Sequence, residues 1–160
     1  TNESKTDPDY APLKVFDIIG YAKTASSPQE AKPLLFLDSN HKVIINRNEL
    51  LPASLKLLNN DVNLSLPKEC KFKLSGKNVR EKMHKILEAL YNENKILDHG
   101  MTVGKELAYV LSGGDTDLNN EVTEDQMYKL ELNSFMKLVE NKKTQDRIFH
   151  TLKTGKPLIN

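Results

Sequence analysis

The residues from Thr123 onward constrain this chain more than any other stretch, because they spell two helix starts and one helix stop. Thr123 precedes an apolar-periodic run, and Gln126 stands three residues later. At that spacing the threonine oxygen can accept the third helical N–H while the glutamine reaches back to the cap residue. Glu124 and Asp125 add negative charge to the first turn, where the helix dipole favours it. Tyr128, Leu132, Phe135 and Val139 follow at spacings of four, three and four, which predicts one apolar face. Met127, Leu130 and Leu138 widen the stripe, so more than one neighbour is expected. Thr144 is expected to cap a second helix with Ile148, Phe149 and Leu152 facing a core. Gly155 supplies a C-terminal cap, and Pro157 cannot continue the helix.

Upstream, residues 1–9 are polar and aperiodic and read as a flexible lead-in. A helix is predicted over 13–25, with Val15, Ile18, Ile19 and Ala22 on one face and Gly20 allowing close packing. Ser27, Pro28 and Glu30 form a strong helix start of cap, first-turn proline and capping-box acid, cut short by Pro33. Asp38-Ser39-Asn40 reads as a turn and Val43-Ile44-Ile45 as a brief extended piece. Asn46 with Glu49 starts a helix carrying Leu50, Leu51, Leu55 and Leu58, with Pro52 disturbing its first turns. Residues 61–75 read as a connector. Ser75-Gly76 then introduces a helix running to about Asn94, with a stripe of Val79, Met83, Ile86, Leu87 and Leu90. Asp98 is expected to cap the next, with Val103, Leu107, Val110 and Leu111 inward and Gly113-Gly114 at its end.

The 160 residues suffice for a domain with a core. A net charge of +1 supplies no global field for nucleic acid or membrane. No run approaches membrane-spanning length, and no signal-peptide pattern is visible. The single cysteine, Cys70, excludes an internal disulfide framework and fits a reducing, cytoplasmic setting. The chain opens on Thr1 rather than methionine, which points to a piece of something longer, although processing gives the same start.

Each chemistry-bearing group has a structural explanation. Lys68, Lys71, Lys73, Lys77, Arg80, Lys82 and Lys85 form a basic stretch opposed only by Glu69 and Glu81. It could meet a coenzyme A phosphate or a nucleic-acid backbone, but the near absence of interleaved aromatics favours a solvated face. Ser112-Gly113-Gly114-Asp115 lacks the lysine of a nucleotide loop and follows a helix, so it reads as a C-cap. His41, His84, His99 and His150 show no metal-ligand spacing, and Cys70 has no cysteine neighbour. Glu30, Glu49, Asp98 and Glu124 are assigned to caps. Tyr109 and Met101 are assigned to packing. No catalytic, cofactor-binding or metal-binding residue is predicted.

Two segments carry a resemblance. TEDQMYKLELNSFMKLVENKKTQDRIFHTLKTGKPLIN and, before it, KELAYVLSGGD resemble the C-terminus of large 3-hydroxyacyl-CoA dehydrogenases that also carry a crotonase-type enoyl-CoA hydratase module. That family ends in a similar helix pair and a KTGKPLRN-like tail, with arginine where Ile159 stands here. AKTASSPQEAKPLLFLDSNHKVIINRNELLPASLKLL resembles the end of the crotonase module. The resemblance implies a β-oxidation enzyme as parent, with NAD as cofactor and acyl-CoA as substrate. Neither the glycine-rich NAD fingerprint nor the oxyanion segment lies in these residues, so the chain alone is expected to be inactive.

The expected fold is mainly α, about six to seven helices in two groups. Residues 10–60 would be the crotonase-end helices and residues 76–160 a C-terminal helical bundle. The expected partners are upstream domains of the same polypeptide, with self-association through exposed apolar surface, no nucleic acid and no membrane span. The alternative is a freestanding helical protein-interaction module.

Overall fold

The computed structural model describes residue 7 and residues 9–59, 69–115 and 121–160. Most of the expected lead-in, and the expected connector before Glu69, lie outside the described residues. The fold is mainly α. Among the described residues there are seven helices: α1 (Tyr10–Gly20), α2 (Pro28–Ala31), α3 (Leu50–Leu58), α4 (Gly76–Asn92), α5 (Asp98–Leu111), α6 (Glu124–Val139) and α7 (Lys142–Thr154). A short 3-10 turn, Arg47–Glu49, precedes α3, and strands β1 (Lys71–Lys73) and β2 (Glu121–Thr123) form a two-stranded sheet.

Packing divides the chain differently from sequence order. One unit joins the residues up to Ala22 with those from Glu69 onward, and the other comprises the stretch between them. In the first unit α4 lies along α5, and α1 packs on both. The core is Phe16 of α1, Val79, Met83 and Leu87 of α4, and Ala108 of α5, with Leu13, Ile96, Met101, Leu107 and Leu111 packed around it. Gly104 permits the α4–α5 approach, since a Cβ there would stand 2.4 Å from Leu87 Cδ2.

Helix α1 departs from expectation at both ends and on its face. Phe16 and Ile18 are buried, whereas Val15 and Ile19 are exposed. Its end comes at Gly20 because Ala22 turns left-handed at φ 48° and donates its N–H to Ile19 O at 2.9 Å. The extended pairing also lies elsewhere than expected. Residues 43–45 join no strand, and β1 forms within the expected connector. A strand needs a partner, and β1 finds one in β2, antiparallel with Phe72 opposite Val122, far along the chain.

The local signals around α4–α6 are mostly realised. Gly76 opens α4 at φ 64° and donates its N–H to Ser112 O at 3.2 Å. Ile86 faces solvent rather than joining the α4 stripe. Asp98 occupies the first position of α5, with Leu97 as cap residue, and its carboxylate accepts the Tyr91 hydroxyl at 2.7 Å. Gly113 and Gly114 close α5 at φ 90° and 63°, and Gly114 N–H donates to Tyr109 O at 2.8 Å. Thr123 and Gln126 form the full capping box of α6, with N–H to side-chain distances of 3.3 and 2.8 Å.

The two terminal helices show the largest correction. Ser134 is the buried residue of α6. Tyr128, Leu132 and Phe135 face outward, as do Ile148, Phe149 and Leu152 of α7, the last at 79% exposure. The apolar periodicity of these two helices therefore marks an uncovered face. Asn141, not Thr144, caps α7, its side chain accepting the Lys143 N–H at 2.9 Å. Gly155 ends α7 in the left-handed region at φ 68°, as its position predicts.

The second unit is built locally. Ser27 Oγ accepts the Glu30 N–H at 3.3 Å. Glu30 reaches one residue past the expected partner, accepting Ser26 N–H at 2.9 Å and Ser26 Oγ–H at 2.8 Å. Asn46 caps the 3-10 turn by accepting Asn48 N–H at 3.0 Å, so α3 starts only at Leu50. Among its described residues Ala31 alone is buried.

Candidate functional site

The densest polar constellation sits where α4 begins and α5 ends. Arg80 and Lys137 each lie 5.2 Å from the Tyr109 ring centroid, within cation–π reach. The Tyr109 hydroxyl donates to Asp115 Oδ2 at 3.1 Å, and Arg80 donates to Gly114 O at 3.3 Å. Lys137 in turn lies 3.7 Å from Glu106. Burial, then the bond to Asp115, raises the Tyr109 pKa, so the phenol stays protonated at neutral pH. The Asp115 carboxylate holds the neutral phenol as its hydrogen-bond acceptor, with two cations near the ring. The cluster ties α4, α5 and α6 around the double-glycine turn. Tyr109, expected only to pack, is its hub. No local signal marks it, because Arg80 and Lys137 arrive from other helices.

His99 and Thr144 form a second, buried polar pair, with Nε2 and Oγ1 2.9 Å apart. Burial first, then Arg147 and Lys143, lowers the His99 pKa, so the imidazole is held neutral. This contact joins α5 to α7 and explains why Thr144 is buried without capping. His84 is also shifted down, by burial and then by Lys105 and Arg80. His41 stands apart, 2.9 Å from Asp38. Among the described residues no cluster of histidine, cysteine, aspartate and glutamate could hold a metal ion.

Three described members of the basic stretch have separate neighbours. Lys68 lies outside the described residues. Lys82 pairs with Asp9 at 2.6 Å, and Arg80 belongs to the Tyr109 cluster. Lys73 sits across the sheet from Glu121. The assignments of Glu30 and Glu124 as helix-start acids fit their positions, and Glu124 also accepts the Tyr128 hydroxyl at 2.9 Å. Glu49 precedes α3 in the 3-10 turn.

The most conspicuous surface is apolar. In the second unit Leu35, Phe36, Val43, Ile44 and Ile45 are exposed, Ile45 at 92%, and so are all five leucines of α3. An open cleft of about 460 Å³ lies beside α2, lined by Lys23, Pro28, Ala31, Phe36 and Leu37 among others. Isolated exposed apolar side chains are ordinary, whereas these ten all fall within residues 35–58. No helix among the described residues is long and apolar enough to cross a membrane.

The chain is 31% identical over 156 residues to a probable 3-hydroxyacyl-CoA dehydrogenase of Bacillus subtilis. The match takes in 96% of this chain, which spans about a fifth (20%) of the length of that relative. No family model matches the chain, and no solved structure matches it.

Proposed function

We propose that this chain is the C-terminal structural segment of a larger NAD-dependent 3-hydroxyacyl-CoA dehydrogenase of fatty acid β-oxidation, with acyl-CoA as substrate. The observation that carries the reading is the match to the Bacillus subtilis protein, which takes in nearly all of this chain and a fifth of that one. The exposed apolar side chains of residues 23–59 support it, because they suit a segment whose covering partner lies elsewhere in the polypeptide. An enoyl-CoA hydratase module in the same parent rests on the crotonase-like residues from Ala22 to Leu58. On this reading the dehydrogenase and hydratase chemistry, the NAD site and the acyl-CoA site belong to the upstream domains. The 160 residues by themselves turn nothing over, and the parent works in the cytoplasm.

A second reading, a freestanding helical interaction module, is favoured by one observation. The first unit owns a buried core around Met83 and Val79 and needs no upstream domain to form it. The test is the size and activity of the native gene product. Immunoblotting of source-cell lysate should show a band several times larger than 18.1 kDa. NAD-dependent oxidation of 3-hydroxyacyl-CoA should co-purify with it. A band at the mass of this chain alone, with no such activity, would select the second reading.

A further inference from the structure

We infer that residues 155–160 form a strap along α7 whose closure requires a neutral His99. Gly155 turns left-handed at φ 68° and reverses the chain. Lys156 is then laced to the last turn of the helix: its carbonyl oxygen accepts the Thr151 hydroxyl at 3.3 Å, and its N–H donates to Thr154 Oγ1 at 3.1 Å. Asn160 fastens the other end. Its Oδ1 accepts Arg147 Nε–H at 2.8 Å, its main-chain oxygen accepts a second guanidinium N–H at 3.3 Å, and its Nδ2 donates to Lys143 O at 3.1 Å. Lys143, Arg147 and Thr151 stand four residues apart, so they form one row down α7. That row is about 12 Å long at the helical rise. The four extended steps from Lys156 to Asn160 cover about 13 Å, so the strap matches the row it lies on.

The turn that holds Asn160 also meets His99. Thr144 follows Lys143 and precedes Arg147 by three residues, and its Oγ1 lies 2.9 Å from His99 Nε2. The imidazole is 1% exposed, so water cannot screen a charge placed on it. Among the described residues the charged groups felt at His99 are Arg147 and Lys143, both cations of α7, and none is felt from α1, α4 or α6. The neighbouring carboxylates are engaged elsewhere: Asp98 accepts the Tyr91 hydroxyl at 2.7 Å, and Asp146 accepts Lys142 Nζ at 2.7 Å. A proton on His99 therefore puts a third positive charge into the α5–α7 contact with no anion to offset it. Relief comes from withdrawing Arg147 or the first turn of α7. Either movement frees Asn160, because the Arg147 guanidinium and the Lys143 carbonyl are its anchors. The coupling is reciprocal: a closed strap opposes protonation of His99, and protonation opposes closure.

The test is a pH titration of the complete 160-residue chain by nuclear magnetic resonance, with isotope-labelled histidine, asparagine and methionine. The spectra of His99→Gln and Asn160→Ala identify the two signals. The expected result is that the Asn160 side-chain amide moves to its free position with the midpoint of the His99 titration, while the Met83 methyl keeps its native shift. In His99→Gln, which takes up no proton there, the strap should stay closed to about pH 5. Asn160→Ala should raise the proton affinity of His99 by about threefold or more. Asn160 lies at the edge of the fold, so this variant carries the test if His99→Gln fails to fold. An Asn160 amide that ignores the His99 titration, or that opens at the same pH in His99→Gln, overturns the inference. So does a His99 midpoint unchanged in Asn160→Ala, or loss of the native Met83 signal together with the strap.

Discussion

The two units of this molecule treat apolar side chains in opposite ways. The helices that gather around Met83 bury residues from three separate segments of chain, and Gly104 is bare so that α4 can press on α5. Residues 23–59 hold a comparable supply of leucine, isoleucine and phenylalanine but bury only Ala31. Their order comes from short-range hydrogen bonds: Ser26 and Ser27 with Glu30, Asp38 with Asn40, and Asn46 with Asn48. Such bonds set the backbone path but are each worth only about 0.5–1.5 kcal/mol net. The contrast teaches that well-formed local structure and a self-sufficient core are separate properties, and that this chain has both in one unit and only the first in the other.

The comparison is broken most directly by truncating a side chain in each unit. Met83→Ala should cost about 2–5 kcal/mol by chemical denaturation, because the side chain is fully enclosed. A loss below about 1 kcal/mol would show that the first unit has no close-packed core. Next in size is Gly113→Ala, expected to cost roughly 1–3 kcal/mol. Its φ of 90° disfavours a side chain, and a Cβ would stand 2.6 Å from Leu74 Cδ1. An unchanged denaturation midpoint would remove the double-glycine turn as a constraint.

A pH titration sharpens the comparison further. The folded His99 pKa is depressed by burial and by Arg147 and Lys143, below the ordinary value of about 6.5. Below that ordinary value the unfolded chain binds the proton while the folded chain resists it. The stability His99 contributes is therefore complete above about pH 6.5 and is lost as pH falls through the folded pKa. Thermal melts of the first unit should drop over that range, and His99→Gln should flatten the drop, with His84 leaving a residual slope of the same sign. The smallest effect belongs to the second unit. Leu58→Ser, at a position 68% exposed, should shift the stability of this chain by no more than about 0.5 kcal/mol. A shift as large as that of Met83→Ala would show that the unit has a core of its own.

Which parts were legible in advance depends on the range of the interaction involved. Thr123 with Gln126, Ser27 with Glu30, and Gly155 after α7 act within a turn of one another, so spacing alone exposes them. The Tyr109 hub, the His99–Thr144 contact and the β1–β2 pairing were not legible. Each joins segments from different helices or strands, and no local pattern marks the partner. The α6 stripe was legible as a pattern but not as a location. Periodicity reports that one face is apolar and says nothing of whether that face is already covered.

By itself the sequence determined the helical class, the helix starts at Ser27, Ser75-Gly76 and Thr123, the helix stop at Gly155, and the likeness of its segments to a 3-hydroxyacyl-CoA dehydrogenase. These rest on backbone hydrogen bonds closed over a few residues and on side-chain identity. Only the tertiary structure decided that α1 belongs with α4 and α5, that Thr144 serves a buried histidine instead of a cap, and that the leucines of α3 stand uncovered. Those outcomes are set by which surfaces meet across long separations in the chain, where burial depends on the whole packing and no single segment carries the answer.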